Sequence, residues 1–357
     1  MKMMSSKAGR ATAVFLCVTQ VAGCGIGYYW QATTGHLKIM RERRPVAEVI
    51  ADSAIDHEVR ERLAISGEIV DFAHQALHLP DNGSYRSYAE IDRPYVVSNV
   101  FAAPEFSLEP RKWCFPVAGC VSYRGYFDAA EAREFAERLS GQGDDVFVVG
   151  VTAYSTLGRF DDPLLSTMME LPPYQLAGLI FHELAHQRVY VKGDSKFNEG
   201  FASLVEREGL SRWLRSVDDE ESLRRYRLGL DRFSQAQNLL IEVKADLDAL
   251  YARSLFDVEK RAVKKEIMAG VRQAYHDMRR SWGGPPYFDH WFDSRLNNAR
   301  IAAMSTYDDY VPAFRALLQN EGADLNAFYD QVAAMAALSA DERAAVLQAL
   351  HDSGDAS

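Results

Sequence analysis

Five residues, His182-Glu183-Leu184-Ala185-His186, constrain this chain more than any other segment, because their chemistry works only from a helix. On an α-helix, positions i and i+4 stand about 40° apart in projection, so both imidazoles share one side and can share one metal ion. Glu183, about 100° round from His182, is near enough to bind a water held there without itself ligating. The flanks fit a helix: Pro172-Pro173 opens it, where a missing N–H costs nothing, and Leu176, Leu179, Ile180, Leu184 and Val189 suit a buried one. Zinc in hydrolases takes three protein ligands and leaves one position open for water. Thirteen residues after His186 comes Glu199, in Asn198-Glu199-Gly200-Phe201-Ala202, beyond a turn at Lys192-Gly193-Asp194-Ser195. A short turn sets the second helix antiparallel to the first and returns Glu199 over the histidines. The expected set is therefore His182, His186 and Glu199 as metal ligands, with Glu183 as general base. Asp194 lies too close to the turn to reach comfortably. Glu206 and Glu208, two turns on, read as solvated or as partners standing behind the ligands. An imidazole-rich set without a carboxylate cage favours Zn2+ over other divalent ions.

The N-terminus reads as an address. Lys2, Lys7 and Arg10 precede an apolar run from Ala11 to Ala22, with no acid in the first 23 residues. That is a secretory n-region and h-region, too short to span a bilayer, which needs about 20 apolar residues. The run ends in Val21-Ala22-Gly23-Cys24, which resembles a bacterial lipobox; Cys24 is then acylated and becomes the first residue after cleavage. The bland alternative is an ordinary signal peptide with a coincidental cysteine. Several acyl chains on one residue satisfy the two-anchor requirement for stable membrane attachment. Gly25 stands where an Asp would mark inner-membrane retention, so a cell-envelope lipoprotein of the outer membrane, facing the periplasm, is expected.

Four cysteines are too few for a disulfide scaffold. Cys17 leaves with the signal and Cys24 is lipidated, so Cys114 and Cys120 remain, flanking Phe115-Pro116-Val117-Ala118-Gly119 in a compartment that permits oxidation. A bridge closing that small loop is expected, a free or metal-binding pair being the alternative. The charge balance, 40 Lys+Arg against 50 Asp+Glu for a net charge of -10, argues against a nucleic-acid partner. Removing the first 23 residues takes away three cations and makes the remainder more acidic.

Apolar periodicity predicts helix from Glu42 to Leu79, stopped by Pro80-Asp81-Asn82-Gly83. Tyr95 to Phe101, Cys120 to Phe127 and Val146 to Leu157 read as strands of a small sheet, with a helix at Asp128 to Leu139 capped by Asp128. Beyond Pro173, helices are predicted at 174–191, 196–215, 218–255, 257–281, 295–304, 306–320, 324–336 and 340–351; the pair between Asp218 and Arg280 reads as a long charged hairpin. The fold class is α+β, predominantly helical. Its expected parts are a signal peptide at 1–23, a membrane-proximal segment at 24–41, a region at 42–216 with N-terminal helices, a small sheet and the metal-binding residues, and a C-terminal helical lobe at 217–357.

His182-Glu183-Leu184-Ala185-His186-Gln187 with Asn198-Glu199-Gly200-Phe201-Ala202 resembles the gluzincin metallopeptidases, in which a downstream Glu is the third zinc ligand. More closely, the chain resembles the bacterial family of predicted, lipoprotein-type aminopeptidases. That likeness also covers Tyr28-Tyr29-Trp30-Gln31, Gly35-His36-Leu37, Cys114 to Cys120 with Tyr123 to Phe127, Ala153-Tyr154-Ser155-Thr156 and Leu296-Asn297-Asn298-Ala299. The resemblance implies a small sheet packed on the zinc-binding helix, an aminopeptidase activity and a peptide substrate. Better-known gluzincins place an acid four residues after the ligand Glu, where this chain has Ser203. Tyr307 and His290 are candidates for stabilising the oxyanion, although an aromatic at helical spacing and a single histidine more often serve packing, and a strand around Thr152 to Thr156 is a candidate for pairing with an extended peptide. Two readings compete with the peptidase: a non-catalytic metal-binding envelope lipoprotein, and a zinc amidase or endopeptidase.

Overall fold

The computed structural model describes residues 27–116, 119–283, 288–304 and 310–354. A helix over residues 27–42 (α1) leads into β1 (Arg44–Pro45), α2 (Val46–Ala51) and α3 (His57–Gln75). A mixed region follows: β2 (Ser87–Ala89), β3 (Val97–Pro104), β4 (Trp113–Phe115), β5 (Gly119–Val121), β6 (Tyr123–Tyr126), α4 (Ala129–Gly141), β7 (Asp144–Val151), β8 (Leu164–Leu165) and α5 (Ser166–Met169). The rest is helical: α6 (Pro173–Arg188), α7 (Ser195–Ser216), α8 (Glu220–Tyr251), α9 (Asp257–Trp282), α10 (Asn298–Met304), α11 (Val311–Asn320), α12 (Leu325–Ala336) and α13 (Ala340–Gly354). The fold is α+β and predominantly helical, as expected. No helix among the described residues is long and apolar enough to cross a membrane.

Three expectations need correcting. The continuous helix over Glu42 to Leu79 is broken between α2 and α3, where Asp52 accepts from the Ala54 N–H and Asp56 caps α3 through the Glu58 N–H. Short acids bonding their own backbone compete with the helix, and apolar spacing does not register them. Cys120 to Phe127 is not one strand; β5 pairs with β4 in a hairpin, and β6 pairs with β3. The strand over Val146 to Leu157 ends at Val151, so Thr152 to Thr156 offers no sheet edge. There the Thr156 N–H and the Ser155 and Thr156 hydroxyls donate to the buried carboxylate of Asp162 instead of to a ladder.

The sheet with order β6-β3-β7 is antiparallel, with β3 central. Alternation along β3 sends Val100 toward Tyr126, Ala132 and Phe135 on the α4 side, and Phe101 and Ala103 toward Phe147, Ala299 and Ala303 on the α10 side. With both faces apolar the sheet needs a helix on each, and α4 and α10 supply them. The metal-binding helix lies between α3 and α7, and a second small sheet, order β1-β2-β8, sends Tyr88, Ala89, Leu164 and Leu165 into the core it shares, together with Val97 of β3. Leu176, Ala177, Ile180, Phe181, Leu184 and Ala185 are all buried, so α6 is apolar round most of its circumference and belongs inside a helical layer.

Two larger cores result. One gathers α3, α6, α7 and α11 to α13, with Phe314, Phe328 and Tyr329 against Phe197 and Phe201 of α7. The other fills the expected hairpin of α8 and α9, where Leu240, Val243 and Leu247 meet Met268, Val271 and Tyr275, and Tyr275 stacks on Phe292 at 4.1 Å. Residues 217–357 thus feed both cores. Cys114 and Cys120 are disulfide-bonded across β4 and β5.

Candidate metal centre

The turn between α6 and α7 is held at three points. Gly193 takes φ +82°, a conformation that favours glycine. The Asn198 side chain, buried at 1% exposure, accepts from the Val191 N–H at 2.7 Å and donates to the Val191 carbonyl at 2.8 Å. Asp194 caps α7 through the Phe197 N–H and is gripped from α13 by buried Arg343 at 2.7 Å. The second helix is therefore set antiparallel to the first, and Glu199 faces the histidines.

His182 Nε2 lies 3.4 Å from one Glu199 oxygen, and His186 Nε2 lies 3.7 Å from the other. One ligand atom from each residue falls within 4.8 Å of the others, and this is the only such group of three or more among the described residues. Tetrahedral ligands at about 2.1 Å from zinc stand about 3.4 Å apart, so the two histidine–glutamate spacings come close to that separation and the donor set suits such an ion. Behind His182, the Glu206 carboxylate meets Nδ1 at 3.1 Å and holds Nε2 forward. Glu206 lies against Gly178, where a Cβ would come within 3.3 Å of its oxygen. This is the acid expected four residues after Glu199 and missing at Ser203; it comes seven residues after instead. His186 Nδ1 is buried with no hydrogen-bond partner among the described residues.

The electrostatics are those of a buried carboxylate and imidazole cluster. Burial pushes His182 down, but Glu199 and Glu206 more than reverse this and hold it well above the usual imidazole range. Burial lowers His186 to about 4 against the pull of Glu199, with the His182 charge adding to the fall. Burial acts upward on Glu199, yet its hydrogen bond from His182 and the two imidazole charges bring it below the carboxylate norm. Glu183 moves the other way: burial raises it to about 7, His182 opposes, and Glu199, Asp162 and Glu206 add to the rise.

Residues that carry no motif also reach this centre. Tyr85 is buried in a left-handed backbone conformation, φ +64°; its hydroxyl has no hydrogen-bond partner among the described residues and feels the charge of Glu183. Asp162, at 1% exposure, acts on Tyr85, Tyr154 and Glu183. Tyr190 feels Glu199, and its ring lies edge-on to His186. Sequence reasoning missed all three because loops bring Tyr85 and Asp162 in and Tyr190 lies just past the end of α6. Gln187, next to His186, is tied to Asn82 at 2.7 Å, which joins the turn before Tyr85 to the metal-binding helix.

The structure separates other candidates from the site. His290 packs against Trp291 near the hairpin core, and its carbonyl accepts from Arg300, so it does not serve the centre. Its ring packs, as a single histidine more often does. Tyr307 and Cys24 lie outside the described residues.

A predominantly helical α+β protein that presents two histidines and a glutamate from an antiparallel helix pair, with a buried acid beside them, is built as a metal-dependent hydrolase would be. A family model described as "Putative aminopeptidase" matches residues 27–347, and the chain belongs to that family. Searches of curated proteins and of solved structures give no match.

Proposed function

We propose that the protein is a zinc-dependent peptidase of gluzincin type, an aminopeptidase by its family, carried as a lipoprotein on the envelope membrane through Cys24. The observation behind the chemistry is the convergence of both Nε2 atoms on the Glu199 carboxylate, with Glu183 beside them and Glu206 fixing one imidazole. Zinc held by His182, His186 and Glu199 supplies, when bound, a Lewis acid that brings the acidity of water close to neutrality. Glu183 moves the proton: it takes one from the attacking water and delivers it to the leaving amine. Its burial, which raises its proton affinity toward neutral, suits a group that must both accept and release. With a metal bound, Glu206 would accept from His182 Nδ1–H and leave Nε2 to the ion. The phenols of Tyr85 and Tyr190 feel the charges of Glu183 and Glu199, and they join Tyr307 in place of His290 as donors to the oxyanion.

The deciding experiment uses the soluble form starting at Gly25, assayed for bound metal and for hydrolysis of aminoacyl and peptide substrates. Glu183→Gln should keep its zinc and lose about 10²–10⁴-fold in kcat. Equal rates for the two proteins would remove the catalytic assignment, and a purified protein without bound metal would remove zinc. Profiling peptide termini before and after exposure separates removal of N-terminal residues from internal cleavage.

A further inference from the structure

Helix α1 has two faces, and the body uses one. Tyr28 packs on Phe115 and Tyr126, with the Arg124 guanidinium 4.0 Å above its ring. Gln31 accepts from the Phe127 N–H at 2.9 Å, and Gly35 lies so close to Phe127 that a Cβ would sit 2.4 Å from its ring. His36 Nδ1 meets the Tyr154 hydroxyl at 2.8 Å, and Ile39 is buried in the main core. The helix is therefore fixed rigidly to the body, at the loop that also carries Asp162.

The opposite face is a continuous stripe of Trp30, Thr33, Thr34, Leu37, Lys38 and Arg41, all exposed. Trp30 is 71% and Leu37 42% exposed, and neither joins an apolar cluster among the described residues. The Thr34 hydroxyl turns back to the Trp30 carbonyl at 2.8 Å. Lys38 and Arg41 close one end of the stripe, with Glu42 just beyond them, so the end carries a net positive charge. Trp and Leu flanked by cations with long apolar stems is the make-up of a helix lying in a bilayer interface. Chain length favours that occupant: Cys24 stands three residues before α1 begins, a reach of about 10 Å at full extension. A second copy suits it less, since a stable dimer buries about 20 to 30 residues a side and this stripe offers six.

We propose that this face of α1 is a membrane seat. Trp30 and Leu37 enter the headgroup boundary, Lys38 and Arg41 face anionic headgroups, and the catalytic body is held in one orientation to the bilayer. The proposal rests on the lipid-anchor reading at Cys24 for its geometry, but its test does not need that anchor.

The soluble form from Gly25 is mixed with vesicles of phosphatidylethanolamine and phosphatidylglycerol. It should co-sediment, less so as salt rises, and the double variant Trp30→Ser with Leu37→Ser should bind about tenfold more weakly or worse while keeping its peptidase rate and Tm. Nitroxide-labelled lipid should quench the emission that Trp30→Phe removes. Failure of the unaltered protein to bind, equal binding by the double variant, or a solution dimer that the double variant dissolves would overturn the seat. Acyl labelling of the full chain against Cys24→Ser tests the anchor separately. No label with vesicle binding intact sinks the anchor and leaves the seat; label without vesicle binding does the reverse.

Discussion

At the scale of single residues, the centre depends on a carboxylate that does not touch the metal. Glu206 reaches His182 Nδ1 through the gap left by Gly178, and that contact fixes which nitrogen faces Glu199. Removing it in Glu206→Ala should lower zinc affinity about 10- to 100-fold, with activity recovering as zinc is added, while Glu206→Gln, which keeps an acceptor oxygen, should retain more. Zinc titration of the two variants checks this; equal affinities for Ala and wild type would contradict it. His182, Glu183 and His186 were legible because helical spacing alone sets their geometry, and Glu199 because a short turn leaves few places for the next helix. Glu206 carried a readable signal too, since seven residues beyond Glu199 on a helix returns to within about 20° of the same face. The choice between solvent and a place behind the ligands stayed open in the sequence because the gap at Gly178 is a property of the packed pair. Tyr85 and Asp162 carried no signal of any kind: a left-handed tyrosine and a loop acid reach Glu183 through tertiary folding.

Helices were legible where apolar spacing and a cap agree, as in α4 behind Asp128 and α12 behind Asp324. They were misread where side chains bond the backbone, as at Asp52 and Asp56. The same kind of bond makes the turn between α6 and α7. Asn198 supplies both partners of Val191, so Asn198→Ala strands a half-buried N–H and carbonyl and should cost about 1–2 kcal/mol, with activity falling as Glu199 loses its register. Denaturant unfolding and kcat together test it, and a fall in neither would contradict it. A second ion-paired junction ties α10 to the segment before it. Burial would raise Asp293, but hydrogen bonds from Arg295 and buried Arg300 hold it far below the carboxylate norm. A depressed folded value stabilises the native state fully above about pH 4, where the unfolded carboxyl ionises, and the benefit is lost only as pH falls through the folded value. Asp293→Asn should therefore lower Tm at pH 7 and fall progressively less far behind the wild type below about pH 4. A gap independent of pH from 7 to 2 would refute the linkage.

Across the whole molecule, the hairpin of β4 and β5 connects the sheet region to the metal-binding helices. The Cys114–Cys120 loop is short, so bond formation restricts the unfolded chain by only about 2 kcal/mol. Its position matters more than its length. Gly119, at φ +81°, abuts the turn that carries the third ligand, and a Cβ there would lie 2.5 Å from the Gly193 nitrogen and 2.8 Å from Lys192. The loop thus adds to Asn198 and Arg343 a further brace on the turn between His186 and Glu199, through contact between chain segments more than 70 residues apart. No local pattern predicts such a contact; only the disulfide itself was foreseen. Two changes separate the brace from the bond. Reduction, or Cys114→Ser with Cys120→Ser, should lower stability by about 2 kcal/mol and weaken zinc retention. Gly119→Ala keeps the disulfide but forces the turn aside, so it should weaken zinc retention at least as much with the thiols still oxidised. Calorimetry and zinc content measured on the same samples decide the matter: loss of stability without loss of zinc in both proteins would make the hairpin a staple and not a brace for the metal centre.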